Sequence, residues 1–526
     1  MIDFIMAILP LIAVFIGIIW LKKSGAVMAV VGWLLAVVLA VGYFSTSLEV
    51  AIGASIYGII KALGITVAVI FTMYLIFLMK EVGALDTISD AIKRVARTKE
   101  EQALFIGIAF GSFVTSLGVV TPALFPPLLM AMGFSPMSSV AIAVLGYNAT
   151  TSFALLSIPV TLPADVFQID VYQLAYKITI FLPVISTLIS FAILWVIGGK
   201  ESVKKGFVPS IILGLTLGFS ALGLVIIRAP IMVIGVLAGL ISMGVLYVYG
   251  KWDNRNNEVD ESEEPVDRRE LLRALSPWLI LIGLASVVSI PPVTSFLAGL
   301  DGNGTILSFA AYQSVDLNIF SQIYTWILVS ILLSLPILKP KKEQIQKVTK
   351  LWSRRIWGPF IAYSLFFSIS FVMAYSAMAI GITDTGATGL VHTSAFPAHN
   401  MNYIVGSALA SVFGVGYIFV AASLGLFGAV VGGSETGSNV MFFPIQQQAC
   451  TNIGLSDKGI MTVYGAHANA GGVASAITPS KINNAVATID ADASMESEIM
   501  KKHAGLVILI TIVIGIMTGI FVALGV

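Results

Sequence analysis

Gly428-Ala429-Val430-Val431-Gly432-Gly433-Ser434-Glu435-Thr436-Gly437-Ser438-Asn439-Val440-Met441-Phe442-Phe443-Pro444 decides the fold class. Tyr403–Val431 is apolar for almost thirty residues. A glutamate then follows amid small and hydroxylated residues, and the chain turns apolar again before meeting a proline. Proline removes a backbone donor and clashes with the preceding turn. Backbone freed in this way needs partners inside protein or water, because lipid supplies none. The stretch therefore reads as an interrupted membrane helix.

The rest of the chain agrees. Of 526 residues, 57% are hydrophobic and 11% charged, with a mean hydropathy of +0.96. A soluble domain carries about 25% charged residues, so a soluble enzyme, a nucleic-acid binder and a disordered scaffold are all excluded. A formal net charge of +1 leaves no electrostatic footprint for nucleic acid. The single cysteine, Cys450, excludes an internal disulfide and a cysteine-built metal site. The expected class is an all-α polytopic membrane protein of the plasma membrane. About 12 transmembrane helices and two re-entrant hairpins are expected, at roughly 20 apolar residues per span, with 14 spans as the alternative.

Apolar runs at Phe4–Leu21, Gly25–Phe44, Ala62–Met79, Ile178–Ile197, Phe207–Ile227 and Pro230–Tyr249 supply the first half. Ser276–Leu297, Phe320–Leu338, Trp357–Ile380 and Ala504–Val526 supply the second. The basic loops at Lys22/Lys23, Lys80–Lys99, Lys200–Lys205, Lys251–Arg273 and Lys339–Arg355 alternate with loops devoid of Lys and Arg. The basic set is thus assigned to the cytoplasm. Three parts follow: a half spanning 1–250, a charged cytoplasmic linker at 251–273, and a half spanning 274–526. Lys61 and Arg228 read as snorkelling residues near span ends.

Two regions share an order of anchors. Phe110-Gly111, Phe125-Pro126-Pro127, Gly133-Phe134-Ser135, Gly146 and Ile158-Pro159 are matched by Phe427-Gly428, Phe442-Phe443-Pro444, Gly454-Leu455-Ser456, Gly465 and Thr478-Pro479. The offset drifts from 317 to 321 and settles at 319 and 320. The loop charges give the two copies opposite orientations. Inverted repeats with interrupted helices mark secondary transporters, whose substrate binds where the interruptions meet. Asn402–Phe413 is expected to be an interfacial helix preceding the second hairpin, parallel to the amphipathic Asp86–Arg97.

Four interruptions are expected to meet: Thr115–Pro122, Asn148–Ser152, Gly433–Asn439 and His467–Gly472. Helix N-termini at such breaks present amides and a positive dipole end, which suits a small anion. The candidate substrate contacts are Thr115, Ser116, Thr121, Asn148, Thr150, Thr151, Ser434, Thr436, Ser438, Asn439 and Asn469. Glu435 is the sharpest residue, since a carboxylate in an apolar span is expensive and by default functional. It reads as a proton-coupling group, a Na⁺ ligand or a helix-dipole partner. His467 is the second coupling candidate. Fixed positive charge is almost absent from the four stretches. By contrast, the Gly214/Gly218 and Gly235/Gly239 pairs read as helix-packing devices.

The same residues resemble the L-lactate permease family. Gly433–Asn439 is similar to that family's Gly-Ser-Asp-Thr-Ser-Ser-Asn motif. Gly471-Gly472-Val473 with Ile477-Thr478-Pro479 resembles its Gly-Gly-Val…Ile-Ser-Pro stretch. Asn148 with Ile158-Pro159 is similar to its Asn-Thr-Ala-Pro…Ile-Pro segment. Ser276-Pro277-Trp278 and Tyr375–Met378 resemble two further segments. Thr115–Pro122 lacks the acid and most of the glycines of the corresponding family stretch, and Ala474-Ser475-Ala476 lacks its lysine.

The resemblance implies a symporter that takes up lactate, glycolate or a related 2-hydroxy acid with H⁺. Na⁺ coupling, or a dicarboxylate or inorganic-anion cargo, is the alternative. The losses of acid and base imply altered coupling or a different carboxylate. No cofactor, metal or enzymatic activity is expected. The expected partners are the carboxylate substrate and membrane lipid, with association between copies of the chain left open.

Overall fold

A computed structural model describes residues 2–93, 98–118, 121–253, 267–300, 306–308, 314–316, 319–383, 386–487, 489 and 494–526. Helices account for nearly all of it. Two short antiparallel hairpins are added: Ile306–Ser308 with Ser314–Asp316, and Met378–Ile382 with Thr388–His392. The protein is an all-α polytopic membrane protein with this small sheet decoration. Among the described residues, ten helical segments are long and apolar enough to cross a membrane. Ile2–Ile18 and Ile323–Leu338 are shorter apolar helices. Outer helices expose Val38, Leu332, Ile508 and similar side chains, as surfaces solvated by lipid require.

One of the ten differs from the others. Pro136–Val166 is 94% buried, against at most 50% for any other, and has the lowest hydropathy of the ten. It runs through the centre, where other helices rather than lipid surround it. Such a position lets a helix carry polar residues and irregular backbone.

The two anchor regions fold through the same sequence of elements. The first has an arm of Lys99–Leu104, a π-helix at Phe105–Phe110 and Gly111–Ser116. It then turns on left-handed Gly118 (φ +92°) into Thr121–Ala131. The second runs from Tyr417–Gly432 through left-handed Gly433 (φ +68°) into Glu435–Asn452. Each returning helix carries the expected proline, Pro126-Pro127 in one and Pro444 in the other.

Each then ends in the same cap. The amide of Phe134 donates to the Leu129 carbonyl and that of Leu455 to the Cys450 carbonyl, both at 3.0 Å. Positive-φ Gly133 and Gly454 make this turn possible. Ser135 and Ser456 then accept from Ser138 N–H and Gly459 N–H to start Pro136–Leu145 and Asp457–Val473. Both of those helices tighten into 3₁₀ geometry, at Gly146–Phe153 and Ala474–Ile477. A proline-bearing helix follows each one.

Within each region the arm presses backbone to backbone on the helix after the cap. A Cβ on Gly146 would lie 2.2 Å from the Gly107 carbonyl oxygen, and one on Gly425 would lie 2.1 Å from that of His467. The two glycine pairs behave as packing devices. Gly214 and Gly218 abut Thr187 and Pro183, while Gly235 and Gly239 abut Ser116 and Phe113.

Several boundaries shift. The apolar run 403–431 is no single rod: Met401–Phe413 and Tyr417–Gly432 are separated by a bend at Gly414–Gly416. Lys61 stands more than three turns inside Leu48–Glu81 and not at a helix end. The short span expected at Ala62–Met79 misplaced it, because capping by Ser47 starts the helix earlier. The linker expected at 251–273 is helical at both edges, with Ile234–Asp253 before it and Arg268–Val288 after it; 254–266 lie outside the described residues. Of the amphipathic Asp86–Arg97, Ala84–Lys93 is helical and 94–97 lie outside the described residues. The halves are interleaved, since Leu48–Glu81 packs along Trp357–Tyr375.

Candidate functional site

Glu435 opens Glu435–Asn452 directly after its N-cap, Ser434, whose hydroxyl accepts from Gly437 N–H at 3.3 Å. A carboxylate in the first turn of a helix is favoured by the helix dipole. Glu435 is 3% exposed. Its Oε1 accepts from Ser152 Oγ at 2.6 Å across a separation of 283 residues. This bond joins the 3₁₀ segment of the first region to the tip of the second. Its Oε2 is buried and has no partner among the described residues.

Glycines admit the carboxylate. A Cβ on Gly472 would lie 3.0 Å from Glu435 Oε2 and 3.3 Å from the Thr151 Cβ. One on Gly471 would lie 3.4 Å from Glu435 Cγ. Gly471-Gly472 is thus the floor on which Glu435 rests, with Thr151 beside it.

The cation missing from the four stretches is Lys481. It lies in the first turn of Pro479–Ala487, just past the last 3₁₀ segment. Its Nζ donates to Ser475 Oγ and stands 5.6 Å from the Tyr147 ring centroid. No ion-pair contact joins Lys481 to Glu435 among the described residues. Ser480 is adjacent to the second tip at Gly433. The expectation of a site almost free of fixed positive charge is therefore corrected. The helix started by Pro479 carries a lysine two residues later, and the fold turns it back toward Tyr147.

The expected contacts fall into three groups. Thr151, Ser434, Thr436 and Glu435 gather at the second tip. Asn148 donates to the Val144 and Val473 carbonyls at 3.1 and 3.4 Å, which ties the two 3₁₀ segments together. Thr150 sits at a kink within the first of them, with φ −135°.

Asn439, Asn469, Ser438 and His467 form the second group, which braces helices. Asn439 donates to the Pro159 carbonyl at 3.1 Å. Asn469 donates to the Ile178 and Gly465 carbonyls at 3.0 and 2.8 Å. His467 Nε2 meets Ser438 Oγ and its Nδ1 meets Gln446 Nε2, both at 3.0 Å. Gln446 Oε1 accepts from Tyr417 OH at 2.5 Å. Since Gln446 Nε2 can only donate, Nδ1 accepts and Nε2 carries the proton. Both ring nitrogens are engaged, and the ring makes no bond to Glu435 or Ser152.

Thr115 and Ser116 form the third group. Ser116 and Phe153 both lie against Gly235. Thr121 opens its helix, but its side chain lies outside the described residues, as do Val119 and Val120.

Buried polar atoms normally find partners. Thr115 Oγ1, Ser116 Oγ, Asn148 Oδ1, Thr150 Oγ1, Glu435 Oε2 and Asn439 Oδ1 have none among the described residues. Six of the seventeen such atoms among the described residues lie in the four interruptions. Unmet hydrogen-bonding capacity concentrated at interrupted helices is what a polar guest would use.

A family model described as L-lactate permease matches residues 3–525. The chain belongs to the L-lactate permease family. Family members include the L-lactate permease of Salmonella typhi, 23% identical with 98% of this chain and 95% of that protein covered. The glycolate permease of Escherichia coli (strain K12) is also 23% identical, over 98% and 94%. The L-lactate permease of Halalkalibacterium halodurans is 23% identical over 96% and 95%. With its apolar helices, this membership makes the chain a multi-pass membrane transporter. Ser152, Ser475, Lys481, Tyr147, Gln446 and Tyr417 were not singled out from sequence as site or brace residues. For Lys481, the signal was a cation in the first turn after a helix-starting proline.

Proposed function

We infer that this permease is a plasma-membrane symporter that takes up lactate or a related 2-hydroxy acid with H⁺. The observation that carries the reading is the buried Glu435–Ser152 contact with its unpartnered Oε2. The relatives' names supply the substrate class. A monocarboxylate is held by Lys481 and Ser475, a cation and a hydroxyl suited to its two oxygens. Its 2-hydroxyl is matched by the hydroxyl-rich Thr150–Ser152 segment. A proton on Glu435 allows the site to cross the membrane without net buried charge. Binding and protonation are then linked, because two neighbouring buried negative charges disfavour each other.

The two anchor regions are read as re-entrant hairpins of opposite orientation, and one moves against the other to alternate access. His467 stays a brace and the coupling role falls to Glu435. Dicarboxylate cargo is disfavoured, because the site offers one lysine.

Purified protein in liposomes tests this. Radiolabelled lactate and glycolate should accumulate under an inward proton gradient, and Glu435→Gln should abolish accumulation while leaving substrate exchange. Accumulation that follows a Na⁺ gradient alone would overturn the coupling ion. No accumulation of any monocarboxylate under either gradient would overturn the function.

A further inference from the structure

Leu48–Glu81, the far end of Ala154–Val166 and the start of Ile323–Leu338 enclose a cavity of about 240 Å³. Ile60, Gly64, Leu162 and Tyr324 form its walls, and Lys61, Asp165 and Gln322 give it polarity. Lys61 is well inside its helix and only 13% exposed at its side chain. An ionisable residue within a membrane helix calls for a function beyond anchoring. Its Nζ also lies 5.9 Å from the Tyr57 ring centroid.

The carboxylate that meets Lys61 among the described residues is poorly suited to hold it. Lys61 Nζ and Asp165 Oδ2 are 3.4 Å apart, beyond the ~2.7–2.9 Å of a firm charge-assisted bond. Asp165 is 54% exposed at its side chain and stands in the last turn of Ala154–Val166. There the helix dipole disfavours an anion. Asp165 also lines a second cavity of about 440 Å³ with Gln168, Asp170 and Ile231. The ion pair is thus the partition between two spaces.

We propose that the Lys61 cavity is a second binding site for a small monocarboxylate, which displaces Asp165 from Lys61. The guest's carboxylate meets Lys61, its hydroxyl meets Gln322, and its short carbon chain lies against Ile60 and Leu162. The helix that bears Leu162 and Asp165 follows directly on Ser152. Helical rise places Asp165 about 10 Å beyond Ile158. The cavity is therefore separate from the Glu435 site. The ligand class rests on the proposed function, whereas the site rests on the cavity and its ion pair.

The test is protection of the Lys61 amine. Detergent-purified protein is treated with acetic anhydride with and without L-lactate, with chloride as the equal-strength control, and acylation of the Lys61 peptide is read by mass spectrometry. Lactate should slow Lys61 acylation several-fold in the wild type and equally in Glu435→Gln. Asp165→Asn should lower the half-protecting lactate concentration by up to about fivefold, the worth of one half-exposed ion pair. The proposal is overturned if lactate gives no protection or if chloride protects equally. It is likewise overturned if Lys61 is unreactive without lactate, or if protection disappears in Glu435→Gln, which would make it a report of changes at the central site. Protection without liposome accumulation would defeat the proposed function and leave this site standing.

Discussion

The regions around Gly118 and Gly433 share arm, left-handed glycine, proline-bearing return, cap and 3₁₀ stretch, yet they part at the tip. The first tip is walled in. A Cβ on Gly118 would lie 2.5 Å from Thr72 Cγ2 and 3.0 Å from Leu155 Cδ2, and Ser116 lies on Gly235. The second tip ends in a carboxyl facing Ser152 and Gly472. Their 3₁₀ segments differ in the reverse sense: Thr150, Thr151 and Ser152 enrich the first, and a lone Ser475 marks the second. Each copy thus lends one polar part, a hydroxyl segment from the first and a charged tip from the second. The shared elements supply the geometry, and the residues that differ supply the chemistry.

This division of labour can be broken by substitution. Lys481→Met should have the largest effect beyond that of Glu435→Gln. Loss of a charge-assisted bond worth about 1.5–3 kcal/mol would weaken substrate binding roughly 10–100-fold, read as KM for lactate uptake in liposomes. An equal effect from Lys61→Met would erase the difference between the central site and the Lys61 cavity.

Ser152→Ala against Ser116→Ala asks whether the two hydroxyl groups are equivalent. Ser152→Ala should lower kcat/KM about tenfold or more, because Glu435 Oε1 loses its donor. Ser116→Ala should leave uptake within about twofold, since its buried Oγ makes no hydrogen bond among the described residues that could be lost. Equal losses would put the first tip inside the site.

Gly425→Ala presses on the feature that the copies share. Its Cβ would meet the His467 carbonyl oxygen at 2.1 Å. Overpacking of this kind destabilises by about 1–3 kcal/mol, so the thermal midpoint should fall, and Gly146→Ala should match it. A neutral outcome in one copy alone would show that the arms are held differently.

Tyr417→Phe should be the mildest. It removes one neutral hydrogen bond in the Gln446–His467 brace, worth about 1 kcal/mol, and lowers the midpoint without altering the proton dependence of uptake. A changed proton dependence would return His467 to the coupling machinery.

Much of this contrast was legible in the chain. Polar residues inside apolar runs identified the interruptions, because lipid offers no partner to freed backbone, and Glu435 stood out for the same reason. The recurrent Gly-x-Ser caps and prolines identified the paired regions, since both residues act through local backbone geometry. What escaped was tertiary. Lys481 falls outside the breaks by sequence and is returned to them by the turn at Thr478-Pro479. The His467 brace needs Tyr417, 50 residues away. Lys61 was read at a helix end because a hydropathy boundary is not a helix boundary.

The central segment, Pro136–Val166, also has a history during synthesis. Its shield of neighbouring helices is partly encoded downstream, and the acceptor for Ser152 lies 283 residues later. At about 5–20 residues per second, roughly 15–60 seconds separate the two on the ribosome. Throughout that interval the least hydrophobic of the ten segments carries its hydroxyls without their eventual acceptor. The Glu435–Ser152 contact is therefore among the last features to be completed during biogenesis, and a chain stalled before Glu435 would present the least hydrophobic of these segments to whatever assists insertion.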